Sequence, residues 1–263
     1  MSISWRNRKI APHNWIGLRA WRKFIQRGIK MYRSLLSVLA VAVIAMVVTI
    51  DPAVAQDTDQ SVDEGGVFVE GWMGSVDARA AGNGMSADDA SFSMEDGNYS
   101  VTTGPSVTYW SSENEASGSY TIMATFHEPA YMSLGGHPHP YGLFIGGNDL
   151  GTENRSLLYC VAYGNGKFIV RGFSPEPFRM NGDRQEANDA VDTAEGEHGP
   201  VTQAISISVS EEKVECSING TVVASYATSD VVGEGKLKST DGYYGVRVGH
   251  NVEVNFSGFH AMK

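Results

Sequence analysis

Two histidines in the segment His137-Pro138-His139 have a spacing that would let both bind one metal ion or one ligand. Imidazoles at positions i and i+2 of an extended segment lie on one face, where a zinc ion could bind both. A glutamate a few residues later would complete such a site, but Leu143 and Phe144 stand there. Because the surrounding glycines and prolines favour a stiff, exposed turn, we predict that both histidines contact a ligand and hold no metal.

The segment from Tyr159 to Arg171 offers a second candidate surface. A three-residue loop at 164–166, with a glycine in the left-handed conformation, would pair Tyr163 with Lys167 and Tyr159 with Arg171. One strand face then carries these four side chains. Tyrosine rings stack on the C–H surfaces of sugars, and a guanidinium donates to hydroxyls or carboxylates. This pattern predicts a sugar-binding face.

Ordinary exposed strand surface is an alternative for each of these side chains, and the sequence leaves it open. Trp110 is a further ligand candidate, with packing inside or at the rim of the sandwich as its alternative.

Glycoside hydrolysis needs two carboxylates that flank one bond. Glu113 and Glu115 have the spacing to share a strand face, but they fall in a turn-rich stretch. We therefore predict no catalytic residue.

The elements that position these residues are short strands. Most strand-like segments are rich in β-branched or aromatic residues and are bounded by Gly, Asn, Asp or Ser. The Asn219-Gly220 pair predicts a tight hairpin, and residues 242–259 predict a second, closing hairpin that frames the site without contributing to it. No helix is predicted. The predicted strands are residues 67–72, 91–94, 99–102, 107–110, 119–127, 142–145, 157–163, 168–173, 204–209, 213–218, 221–226, 243–248 and 252–260.

About a dozen strands without an internal repeat predict an all-β, jelly-roll sandwich of two antiparallel sheets. The longest gap, residues 174–202, is rich in Asp and Glu. Calcium could bind several such carboxylates, but no Asp-x-Asp-x-Asp-Gly spacing occurs, so a solvated loop is favoured and no cofactor is predicted.

The N-terminal part of the chain has the pattern of a secretory signal. Residues 35–50 form an apolar run, and Ala53 and Ala55 follow it with the small-x-small spacing of a cleavage site. We predict a signal peptide over residues 31–55, with cleavage between Ala55 and Gln56. The protein is then periplasmic or extracellular. An uncleaved anchor is the alternative, although sixteen residues fall short of the ~20 that span a bilayer.

The segments on either side of the signal complete the predicted organisation. Residues 1–30 are interpreted as an extension upstream of a start at Met31. Residues 56–66 are acidic and lack periodicity, which predicts a disordered tether. Residues 67–263 then form one domain, a length that suits a single β-sandwich.

The charge of the chain bears on its binding partners, and its two cysteines bear on whether it is cross-linked. Residues 56–263 hold 11 basic and 29 acidic residues, a formal net charge of −18, which argues against nucleic acid. After cleavage no membrane partner is expected, and the oligomeric state stays open. Cys160 and Cys216 could form a disulfide in an exported protein, or remain buried thiols.

Four segments together resemble the concanavalin A-like lectin/glucanase superfamily, and in particular exported bacterial laminin-G-like and 3-keto-disaccharide-hydrolase-type domains. They are residues 135–147, 158–171, 214–223 and 242–250. The resemblance implies a curved sheet whose concave face or rim loops hold a glycan. It concerns turns and strands more than any activity.

Three function classes follow. We favour a non-catalytic, exported carbohydrate-binding domain. The second class is a glycoside hydrolase or keto-sugar-cleaving enzyme of the same superfamily, whose acid and base come from separate loops. The third is a structural or adhesive domain of the cell envelope.

Overall fold

The structure is a computed structural model that describes residues 58–263. The predicted signal peptide, its cleavage between Ala55 and Gln56, and the residues upstream lie outside this range. The strands of the described range are β1 (Gly66–Val67), β2 (Trp72–Val76), β3 (Ser91–Glu95), β4 (Asn98–Thr102), β5 (Val107–Ala116), β6 (Tyr120–Glu128), β7 (Tyr141–Asn148), β8 (Ser156–Tyr163), β9 (Lys167–Phe173), β10 (Pro177–Arg179), β11 (Glu186–Ala187), β12 (Val201–Val209), β13 (Lys213–Ile218), β14 (Thr221–Ala227), β15 (Gly242–Val248) and β16 (Glu253–Met262). The helices of this range are α1 (Ala78–Gly82), α2 (Thr228–Val231) and the 3₁₀ turn Ala87–Asp89.

The strands form two sheets of eight. Sheet 1 has the order β1-β3-β4-β16-β6-β12-β13-β14, and sheet 2 has the order β10-β9-β8-β7-β15-β5-β2, with β11 also paired to β9. Neighbouring strands are antiparallel except for the short parallel pair of β1 and β3. The predicted all-β, jelly-roll sandwich of two sheets is confirmed.

The core lies between the sheets because strands from both bury every second side chain. In β12 the apolar residues Ile205, Ile207 and Val209 are buried, while the serines between them are partly exposed. From the facing sheet, β8 contributes Leu158 and Cys160 to the same core. A disulfide joins Cys160 in sheet 2 to Cys216 in sheet 1 across this core.

Two turn predictions are confirmed. Asn219 and Gly220 have φ values of 50° and 80°, so both central residues of the β13–β14 turn are left-handed, as a type I′ turn requires. At the β8–β9 loop Gly166 has φ 77°, and Tyr159 lies opposite Arg171 as predicted.

The predicted closing hairpin is wrong. Strand β15 pairs with β5 and β7 in sheet 2, whereas β16 pairs with β4 and β6 in sheet 1. The turn at residues 249–252 therefore crosses from one sheet to the other. Both hydrogen-bonding edges of each strand are taken by partners distant in sequence, which local patterns do not reveal.

The predicted strand at 67–72 is also wrong. Its residues divide between β1 in sheet 1 and β2 in sheet 2, since Gly71 with φ 76° and a Trp72 N to Val69 O hydrogen bond of 3.1 Å close a turn there. Helices α1 and α2 were not predicted, because four or five residues are too few to show a helical period. None of the helices in residues 58–263 is long and apolar enough to cross a membrane.

Candidate functional site

Strand β8 presents its tyrosines on the face of sheet 2 opposite the core. Leu158 and Cys160 point into the core, so the alternation along the strand turns Tyr159, Val161 and Tyr163 the other way. Tyr159 is partly exposed, while Val161 and Tyr163 are buried against Ile169 of β9.

A pocket of about 220 Å³ opens beside these tyrosines, and we call it the tyrosine pocket. It joins side chains from strands β8, β9 and β15 to residues of four connecting segments. Its lining residues are Ser106, His137, Pro138, His139, Pro140, Tyr159, Val161, Tyr163, Ile169, Gln185, Arg247, Gly249 and His250.

Three histidines meet at one side of the tyrosine pocket. His137 and His139 lie in the loop that enters β7, and His250 lies in the turn that leaves β15. One ring nitrogen of each lies within 4.8 Å of the others. The ring centroids of His139 are 4.4 Å from His137 and 4.1 Å from His250. His137 is exposed, whereas His139 is 3% exposed.

Backbone contacts hold the two histidine-bearing loops together. Gly249 N donates to Pro140 O at 2.7 Å, and a Cβ added at Gly249 would lie 2.6 Å from Pro140 Cδ, so only glycine permits this approach. The Thr103 hydroxyl donates to Gly249 O at 2.6 Å. The backbone of Asn251 is in the left-handed conformation, with φ 49°. Its backbone N donates to Gly104 O at 3.1 Å.

Residues 58–60, predicted to belong to a disordered tether, pack on this turn. Gln60 N donates to Asn251 Oδ1 at 2.9 Å, and Asn251 Nδ2 donates to Thr58 O at 2.9 Å. Asp59 Oδ1 lies 2.9 Å from His250 Nδ1. The ordered domain therefore starts before Val67, because an asparagine side chain supplies the hydrogen bonds that an isolated acidic segment lacks.

A largely buried ion-pair group adjoins the tyrosine pocket through Arg247, while its other two members, Asp77 and Arg155, line a separate pocket of about 810 Å³. Asp77 accepts from Arg155 Nη2 at 3.1 Å and also from Arg247 Nη2. Both arginine side chains are at most 10% exposed. Burial by itself raises the pKa of Asp77, but the two guanidinium groups outweigh it and hold the pKa below its usual value. Two cations and one anion leave the group a net positive charge.

The remaining predicted ligand residues divide into two sets. Lys167 and Arg171 line a neighbouring pocket of about 440 Å³, which shares Tyr163 and Gln185 with the tyrosine pocket. Trp110, in contrast, is 6% exposed and packs in a cluster that includes Phe144, so its ring offers little surface to a ligand. Trp110 therefore packs inside sheet 2's own side-chain cluster, as the alternative to ligand binding predicted.

Glu113 and Glu115 lie in the second half of β5, not in a turn, and both are exposed. Neither lines the tyrosine pocket. The sequence did not assign Asp59, Arg247 or His250 to the site. His250 follows a strand with no local motif, and its partner histidines stand more than a hundred positions earlier. Only the crossing of the chain between the sheets brings them together.

No protein-family model and no curated protein sequence matches the chain. Solved structures similar to it include a carbohydrate-binding module from Bacillus subtilis, at 9% identity and TM-score 0.42, over 76% of this chain and 99% of that one. A protein of unknown function with a galectin-like fold, also from Bacillus subtilis, matches at 13% identity and TM-score 0.47, over 72% and 88%. A laminarinase from a Flavobacterium species matches at 13% identity and TM-score 0.45, over 73% and 91%. These likenesses carry no information on activity.

Proposed function

We propose that this protein is an exported, lectin-like domain that binds a glycan in the tyrosine pocket. The observation that carries the proposal is the convergence of Tyr159, Tyr163 and Arg247 in one pocket on the exposed side of sheet 2. Aromatic rings beside a planar cationic donor suit a sugar, whose C–H faces stack on the rings while its oxygens accept hydrogen bonds.

The protonation of the tyrosines supports the same role. Burial raises the pKa of Tyr163 to about 12, and burial also raises the pKa of Tyr159. Both phenols therefore stay neutral well above physiological pH and can donate or accept hydrogen bonds. The pocket is smaller than the ~300–1,000 Å³ of sites for drug-sized ligands, so it suits a single sugar unit of a longer glycan.

The charge around the pocket favours an acidic sugar. Arg247 belongs to the net positive group with Arg155 and Asp77. Lys167 and Arg171 extend the cationic surface into the neighbouring pocket. This local surplus of positive charge contrasts with the acidic chain around it, and a sugar carboxylate would complement it.

A glycan array that includes neutral and uronic-acid glycans tests this proposal on the full chain. We expect binding to an acidic glycan, with affinity reduced about tenfold or more in Tyr159→Ala. Tyr243→Ala is the matched control, since Tyr243 is a partly exposed tyrosine of the same sheet that does not line the pocket. Equal losses in both variants, or no glycan binding by the wild-type protein, would contradict the proposal.

Export is a separate part of the proposal and rests on the apolar run at 35–50 followed by Ala53 and Ala55. Intact-mass measurement of the protein recovered from its native host is expected to show a chain that begins at Gln56. Recovery of a chain that retains residues 35–50 would contradict signal cleavage.

An enzyme of the same fold is the second candidate, and the contact of Asp59 with His250 favours it. A carboxylate that orients an imidazole is a common arrangement for general acid–base catalysis. Incubation with the bound glycan tests this candidate. Release of new reducing ends or keto sugars that Asp59→Asn abolishes would support an enzyme, and intact glycan after prolonged incubation would exclude this reaction.

A further inference from the structure

The three histidines at the rim of the tyrosine pocket have the chemistry of a metal site that the sequence alone did not predict. His137 and His139 share one loop, and His250 comes from the turn beside it. Each offers a ring nitrogen, and these three nitrogens lie within 4.8 Å of one another. Zinc binds imidazole nitrogen at ~2.0–2.1 Å, which places its ligands roughly 3.4 Å apart. The three nitrogens therefore need to approach one another by at most roughly 1.4 Å.

The loop that carries His137 can provide this contraction. His137 is exposed, and a Cβ added at the preceding Gly136 would meet nothing within 4 Å, so the loop has open space beside Gly136 into which its backbone can shift. His139 and His250 are held more firmly, because Gly249 N donates to Pro140 O between them. Two ligands are therefore fixed by the frame, and the third closes on the ion.

Asp59 adds the second layer that metal-binding histidines require. Its Oδ1 lies 2.9 Å from His250 Nδ1. The negative charge of a carboxylate in contact with Nδ1 favours the tautomer that carries its proton there, which leaves Nε2 as the ligand atom for an ion. Hydrogen bonds from Gln60 and Asn251 hold this N-terminal segment in place.

The donor set selects the class of metal. Imidazole nitrogens favour zinc, copper or nickel, while calcium and magnesium take oxygen ligands. Three protein ligands leave a tetrahedral ion one open coordination position. That position would face the tyrosine pocket, whose lining includes Tyr159 and Arg247 as well as the histidines.

We propose that His137, His139 and His250 form a three-imidazole site for a divalent transition-metal ion, with zinc as its reference occupant and Asp59 as the orienting carboxylate. The ion carries an open position for an oxygen ligand of the molecule that occupies the tyrosine pocket. This site stands independently of the identity of that molecule.

Zinc titration of the untagged full chain, followed by calorimetry and equilibrium dialysis, tests the site without any glycan. We expect one zinc ion per chain, with affinity lowered tenfold or more by His137→Ala and lost in His137→Ala with His250→Ala. Asp59→Asn is expected to lower affinity by about 10–100-fold while leaving the stoichiometry unchanged. His260→Ala is the matched control, because His260 is exposed and its Nδ1 contacts Gly258 O at 2.7 Å, away from the cluster.

Cobalt substitution supplies a readout that packing alone would not produce. Bound Co²⁺ is expected to give the visible absorption of a tetrahedral, nitrogen-ligated ion, and His137→Ala should abolish it. His137 is the best single position for the test, because its exposed side chain can be removed without opening the core.

The proposal is overturned if the wild-type protein binds no zinc at millimolar concentration, or if the double histidine variant binds it as tightly as the wild type. A cluster in which the three imidazole rings only pack against one another would bind no zinc. Because no sugar is present, failure of zinc binding leaves the glycan proposal untouched, and failure on the glycan array leaves the zinc result untouched.

Discussion

Asp77 shows how much a single carboxylate can determine at the residue scale. It is the shared partner of Arg155 and Arg247, whose side chains are 10% and 8% exposed. Arg155 also stacks over Phe173, with its guanidinium carbon 4.0 Å from the ring centroid. The group thus fixes Arg247, which lines the tyrosine pocket, and its stability depends on one anion.

Replacement of Asp77 with asparagine is expected to destabilise the fold by about 3–5 kcal/mol, because two buried guanidinium groups lose their counter-charge. Chemical denaturation at neutral pH measures the change. Asp183→Asn serves as the control: Asp183 pairs with Arg179 at the surface, where its side chain is 87% exposed, and such pairs contribute about 1 kcal/mol or less. Equal losses in the two variants would show that burial does not govern the Asp77 contribution.

Glu128 at the end of β6 should make stability depend on pH. The residue is 2% exposed, and burial raises the pKa of its carboxyl from 4.5 to about 7. The folded state therefore holds a proton that the unfolded chain releases. The resulting stabilisation is complete below pH 4.5 and is lost as pH rises through about 7.

We expect the free energy of unfolding of the wild-type protein to fall by about 3 kcal/mol across this interval relative to that of Glu128→Gln, because the glutamine side chain stays neutral throughout. Denaturation curves collected in steps from pH 4.5 to 7.5 measure the difference. Parallel stability profiles for the two proteins would refute the assignment of a buried, protonated Glu128.

At the scale of elements, the decisive contact joins the loop before β7 to the turn after β15. Gly249 lies so close to Pro140 that a Cβ would approach Pro140 Cδ to 2.6 Å. We expect Gly249→Ala to push the loop and the turn apart, with a loss of about 1–3 kcal/mol in unfolding free energy. Thermal and urea denaturation measure this loss.

Gly136→Ala provides the comparison within the same loop, because a Cβ at Gly136 meets nothing within 4 Å. Its stability should remain within about 0.5 kcal/mol of the wild type. An unchanged stability in Gly249→Ala would mean that the turn has more freedom than the contact with Pro140 implies.

At the scale of the whole molecule, the disulfide between Cys160 and Cys216 ties sheet 2 to sheet 1. The bridge closes a loop with a sequence separation of 56 residues. Removing the bridge in the double variant Cys160→Ala with Cys216→Ala is expected to lower the free energy of unfolding by about 2–4 kcal/mol, chiefly because the unfolded chain regains conformational freedom. Denaturation under non-reducing conditions measures this cost.

Thiol titration of the denatured, unreduced protein is the companion measurement. We expect no reactive thiol from either Cys160 or Cys216, since both sulfurs are in the bridge. Two free thiols would contradict the disulfide, whatever the stability of the double variant.

Local sequence patterns determined most of the strands of this protein. The Asn219-Gly220 pair specified a type I′ turn because its two central residues need positive φ. The alternation around Tyr159 specified the register with Arg171, since a slip by one residue would turn an arginine toward the core. Turn chemistry and side-chain alternation are properties of neighbouring residues, so one sequence suffices to read them.

Only the tertiary structure decided which elements meet. The closing strands looked like a hairpin, but β15 and β16 belong to different sheets, and the turn between them carries His250 to the histidines before β7. The segment that looked like a free tether places Asp59 against His250. Pairing between distant strands depends on the burial of both sheets at once, and no local pattern records it. The sequence alone therefore predicted the sandwich and its tyrosine face, whereas tertiary folding assembled the histidine cluster.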